Sequence, residues 1–135
     1  MAYSGFLIKV GDYTISGKDY ISANSYGVTR NVQDVESYRD ANGILHREAL
    51  EHAPIKVEFE TRNMLTDEKM QILLSNIRRN YTNEKERKVI ATVYVPELGD
   101  YKTCEMYMAT PTPEIYGIMN GVIYYKAMRL AFIEY

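Results

Sequence analysis

Hydrophobic and polar positions alternate with a period of two through much of the chain. The clearest stretch follows Pro54, where Ile55, Val57 and Phe59 alternate with Lys56, Glu58 and Glu60, a strand with one dry and one wet face. Val89, Ala91, Val93 and Val95 repeat the pattern, and Cys104, Met106 and Met108 repeat it within Tyr101–Ala109. Phe6–Ile15 reads as a hairpin turning at Gly11-Asp12, and Val28–Val35 as a strand. Asn42-Gly43 and Asn120-Gly121 are turn signals, because both residue types tolerate positive φ. After them come the extended segments Ile44–Leu50 and Val122–Tyr135. In the last segment one face carries Ile123, Tyr125, Ala127, Ala131 and Ile133 and the other Tyr124, Met128, Leu130 and Phe132. A strand apolar on both faces is central in a sheet or covered by a partner.

The period changes once. Thr66 can cap a helix, Asp67 and Glu68 suit its first turn, and Met70, Leu73, Leu74, Ile77 and Tyr81 form one apolar stripe that predicts a helix over 66–81. Thr110-Pro111-Thr112-Pro113 is stiff and extended, and Ser16–Gly27 reads as a loop carrying Tyr20 and Tyr26. The expectation is a single domain over 1–135, mainly β (α+β). It would be an antiparallel β-sandwich or open barrel of about seven strands with one packed amphipathic helix.

Composition narrows the function classes. A net charge of −2 gives no electrostatic reason for nucleic-acid binding, and no apolar run approaches the roughly 20 residues that span a bilayer. Met1–Val10 lacks the features of a signal peptide, so synthesis in a cytoplasm is expected, and the single Cys104 excludes an intrachain disulfide. Tyrosine is abundant, 13 against 3 Phe and no Trp, which suits half-buried strands and protein interfaces alike.

Candidate chemistry is sparse. His46 and His52 stand six apart, about 20 Å along a strand and too far to share an ion. Cys104 lies within a predicted strand and reads as a core residue rather than a nucleophile. Glu58 and Glu60 share a wet face, as paired carboxylates of a glycosidase would, but with no aromatic cleft beside them. Glycine-rich phosphate loops, nucleophile elbows and zinc-protease motifs are absent. No cofactor or metal is expected, and no enzyme. Arg78, Arg79, Lys85, Arg87 and Lys88, mixed with Glu84 and Glu86, read as a solvated helix end or as an anion-binding patch.

Ser37-Tyr38-Arg39-Asp40-Ala41-Asn42-Gly43-Ile44-Leu45-His46-Arg47, followed by an alternating strand, a capped helix and more strands, resembles small tail proteins of phages and prophages of Gram-positive bacteria. The resemblance covers most of the chain as an order of elements, and its motif is short. It implies a tail-tube or distal-tail-like subunit, made in the host bacterial cytoplasm and located in the virion tail. Such a subunit would assemble as a homomeric ring, a hexamer among the candidates, alongside other tail proteins, with no membrane and no sequence-specific nucleic acid. The candidate subunit interface comprises Tyr20, Tyr26, Arg39, Asn42, Gly43, Arg47, Glu58, Glu60, Tyr124, Met128 and Phe132. Arg39 and Arg47 would form inter-subunit ion pairs with Glu58 or Glu60, or simply flank a solvated hairpin. The competing expectation is a monomeric β-sandwich module whose Tyr-rich loops recognise a peptide or carbohydrate.

Overall fold

In the computed structural model, which describes residues 3–30, 34–49 and 53–135, the alternating segments become the strands of one large sheet. The elements run β1 (Ile8–Val10), β2 (Tyr13–Thr14), a 3-10 turn (Ala23–Ser25), β3 (Gly27–Arg30), β4 (Asp34–Arg39), β5 (Leu45–Ala49), β6 (Ile55–Glu60) and β7 (Leu65–Thr66). They continue with α1 (Asp67–Arg79), β8 (Lys88–Val95), β9 (Asp100–Met108), β10 (Ile115–Met119), β11 (Val122–Tyr125) and β12 (Arg129–Glu134). Seven strands form an antiparallel sheet in the order β2-β1-β8-β9-β12-β6-β3. Three more, β10-β11-β7, make a small sheet, and β4 pairs with β5. The fold is mainly β with one helix, as the periodicities imply. The described strands number twelve, more than the roughly seven expected of the whole domain, and seven of them form the main sheet.

Period two places Ile8, Val10, Val89, Ala91, Val93, Val95, Met106, Leu130, Phe132 and Val57 on one buried face, where the ladder aligns Val57 with Phe132 and Phe132 with Met108. Met70, Leu73 and Ile77 of α1 join the same core. The helix starts where Thr66 Oγ1 accepts the Lys69 N–H at 3.3 Å, with Asp67 and Glu68 on the positive end of the dipole. It ends against the first hairpin. Gly11 has φ +59°, and a Cβ there would lie 2.2 Å from Asn80 Oδ1, so only glycine fits beside the helix terminus.

Sheet order and hydrogen bonding together show that the sheet is rolled. β3 and β8 are four strand spacings apart, about 19 Å if the sheet were flat. Tyr26, just before β3, nevertheless places its hydroxyl 2.7 Å from the Tyr94 carbonyl oxygen of β8 and 3.2 Å from that of Leu7. Its single proton goes to the nearer acceptor. Arg30 of β3 also reaches Glu97 in the β8–β9 turn at 3.4 Å. The sheet therefore curls back on itself, within the expected class of sandwich or open barrel, with Tyr26 linking its β3 edge to β8.

Three expectations change. Val122–Tyr135 is not one strand: it breaks at 126–128, β11 and β12 enter different sheets, and the face assignments do not continue across the break. β12 is hydrogen-bonded on both sides, to β9 and β6, so Phe132 is core and offers no surface to a partner. Met128 is likewise buried, its N–H donated to the Oγ1 of the fully buried Thr61 at 2.8 Å. In the predicted strand 28–35, residues 31–33 lie outside the described residues, as do Leu50 and His52.

Two substitutions separate closure from packing. Phe132→Ala should cost about 3–5 kcal/mol in denaturant unfolding, through lost burial and a cavity. Tyr26→Phe, which leaves the Tyr94 carbonyl without this donor, should cost about 1–2 kcal/mol. A neutral Tyr26→Phe would show that the hydroxyl does not hold the rolled sheet closed.

Candidate functional site

Among the described residues, eight of the fifteen exposed large hydrophobic side chains lie on two hairpins. The first is built on Asp40, Asn42 and Gly43. Asp40 Oδ1 accepts the N–H groups of Asn42 at 2.9 Å and Ile44 at 3.1 Å, and Gly43 supplies the positive φ. Arg39 Nη1 donates to the Gly43 carbonyl at 2.9 Å. His46 Nε2 lies 2.9 Å from Asp40 Oδ2, and its ring stacks on Tyr38 with centroids 4.9 Å apart. The His46 contact, helped by the Ile44 N–H, holds the Asp40 carboxyl below the usual carboxylate range.

The tip closes the β4–β5 ladder. β3 pairs with β6 up to Arg30 opposite Ile55, and β4 pairs with β5 from Asp34 opposite Ala49. β3 and β6 lie in the main sheet, while among the described residues β4 and β5 pair with each other alone. Tyr38, Ile44 and Leu45 are exposed along this arm, at 57%, 58% and 44%.

The second projection is β10–β11. Asn120 and Gly121 have φ +53° and +75°, the conformation of a tight hairpin turn matched to strand twist. Its base is anchored by β7, and by the Tyr125 hydroxyl donating to Asp67 Oδ1 at 2.7 Å. Beyond that anchor Ile115, Tyr116, Ile118, Met119 and Val122 are exposed, Ile118 at 66%. β10 is an edge strand with a bulge between Ile115 and Gly117, and Ile115–Tyr125 contains no charged residue. Natural edges are usually blunted by charge or proline, and this strand itself carries neither.

The expected interface residues divide accordingly. Arg39, Asn42 and Gly43 meet at the arm tip, where they brace the turn of their own chain. Arg47 lies on the same exposed arm, opposite Ser37. Glu58 pairs with Lys56 at 2.7 Å and with Arg129 across the β6–β12 ladder. Glu60 is exposed beside Thr110, Thr112 and Arg129 on the rim of another groove. Tyr124 is half-buried opposite Thr66. Tyr20 and Tyr26 are not loop ornaments. Tyr20 is buried because its loop is stitched to the end of β6, with Arg62 N–H donating to the Tyr20 carbonyl and Ser22 N–H to that of Glu60, each at 2.9 Å. The exposed apolar residues of β10–β11 were missed, although the charge-free run of Ile115–Tyr125 marks them in the sequence.

Among the described residues no cluster of three His, Cys, Asp or Glu side chains could hold a metal. Cys104 is half-buried on the inner side of β9. Burial, and then the Glu134 carboxylate, push its thiol up to about 11 against the opposing Lys102 cation. Lys102 and Glu134 pair at 3.0 Å, and Glu134 Oε1 also accepts the Ile55 N–H at 2.9 Å. At neutral pH Cys104 is therefore a thiol. Alkylation by iodoacetamide should be slow at pH 7.5 and accelerate as pH rises toward about 11. Rapid labelling at pH 7.5 would contradict the assigned environment.

No curated protein matches the chain. The match that does exist extends over the whole sequence, residues 1–135, and by it the chain belongs to the family described as "Family of unknown function (DUF6711)".

Proposed function

We propose that this protein is a structural subunit of a bacteriophage or prophage tail. In this reading it is made in the host cytoplasm and assembles as a homomeric ring in the tail tube, tail tip or neck. The observation that carries the reading is the pair of projecting hairpins. A chain that buries the inner face of its main sheet so completely leaves Tyr38, Ile44 and Leu45 on one projection uncovered. On the other it leaves Ile115, Tyr116 and Ile118 uncovered beside an open strand edge. Exposed apolar residues gathered on projections are surfaces waiting for a partner. The two projections differ in character, one carrying Arg39, Asp40 and Arg47 and the other no charge, which suits the unlike surfaces that meet in a ring. A net charge of only −2 does little to keep copies apart. The biological setting of the proposal comes from the resemblance of the sequence, as an order of elements, to phage tail proteins. The second reading, a monomeric module that binds a peptide, is favoured by one feature, a small groove beside Tyr81.

Light scattering over a wide concentration range tests the proposal. The wild type should form discrete species at multiples of the 15.6 kDa monomer. Ile118→Lys, which puts a charge on an exposed position, should raise the concentration needed for assembly at least about tenfold without lowering the melting temperature. A wild-type chain that stays monomeric at every concentration would overturn the assembly reading.

A further inference from the structure

The basic residues Arg78 and Arg79 at the end of α1 and Arg87 and Lys88 after it fall into two groups in the folded chain. Arg79 reaches Asp12 at 3.9 Å, and Lys88 pairs with Glu105 at 3.2 Å while lying over the Tyr135 ring. Arg78 and Arg87 make no ion pair with any described residue. They line instead, together with Tyr81 and Glu84, a groove of about 220 Å³ whose apolar lining is Leu74, Met108 and Pro111. The return of the chain from helix to strand makes this juxtaposition. Arg87 sits at φ +53°, its N–H donated to the Glu84 carbonyl at 3.2 Å and its own carbonyl accepting the Met108 N–H at 3.0 Å. Left-handed backbone is costly for a residue with a Cβ, and Arg87 is also half-buried. A guanidinium carries only donors, so what it lacks here is an acceptor, and a carboxylate matches two of its N–H groups at once. Both arginines oppose the rise that burial gives the Tyr81 phenol, as expected of cations that face it.

We propose that this groove docks an acidic segment of a partner polypeptide, one aspartate or glutamate carboxylate lying between Arg78 and Arg87 and a neighbouring apolar side chain resting on Leu74, Met108 and Pro111. Charge selects the occupant. Glu84 reduces the two arginines to a single net positive charge, which suits a monoanionic carboxylate better than a phosphate dianion. The apolar lining suits a peptide better than a free ion. The groove volume accommodates one side chain and its carboxylate neighbour, not a drug-sized ligand.

The test is an NMR titration of the whole chain with the blocked peptide acetyl-Leu-Glu-Leu-amide, its glutamine counterpart and inorganic phosphate. The glutamate peptide should saturably shift the signals of Arg78, Tyr81 and Arg87, with the glutamine peptide at least about tenfold weaker. Arg87→Gly should weaken the glutamate peptide by a similar factor yet melt no earlier than the wild type, because glycine is at ease in left-handed backbone. That combination separates loss of the site from loss of the fold. Equal binding of the two peptides, no binding of the glutamate peptide, or phosphate shifting the same signals more tightly would each overturn the proposal.

Discussion

A seven-stranded antiparallel sheet has one apolar face and two edges to hide, and in this chain the rolling of the sheet, fixed by the Tyr26 hydroxyl, meets both needs. Bringing β3 within hydrogen-bond reach of β1 and β8 encloses the inner face, and α1 packs into the same core. The two-residue β2 leaves little open ladder at the far edge, the kind of short edge strand that resists unwanted pairing. The core is closed, and the two hairpins lie outside it.

The arm and the β10–β11 hairpin follow from the same geometry. β3 and β6 pair in the main sheet, and β4 and β5 pair with each other as a separate ladder. β10–β11 is clamped at its foot by Tyr125 and Asp67 and free at its tip. Hairpins anchored in this way present apolar side chains in a fixed direction, which lowers the ordering cost of assembly.

Much of this architecture was legible in the residues. Alternation over Val89–Val95 predicted four core side chains, all of them buried, and Thr66, Asp67 and Glu68 marked the start of the helix. Asn42-Gly43 and Asn120-Gly121 marked both hairpin turns, because turn chemistry is local. What escaped depends on distant partners. Tyr26 acts on carbonyls of Leu7 and Tyr94, and nothing near Tyr26 in the chain announces them. Lys102 and Glu134 stand at inward positions of their strands and are compatible with the core only because each neutralises the other. Arg39, expected to bridge subunits, braces its own turn instead, a choice set by the reach of its side chain to the Gly43 carbonyl. Arg78 and Arg87 meet at Tyr81 only because the chain doubles back between helix and strand.

The central claim, that the two hairpins are contact surfaces on a self-sufficient core, is tested most directly by hydrogen exchange followed by mass spectrometry at low and high protein concentration. Residues 115–125 and 34–49 should exchange more slowly as concentration rises, while 89–95 and 129–134 keep the same rates throughout. Protection that does not change with concentration, or that grows only outside the two hairpins, would contradict it.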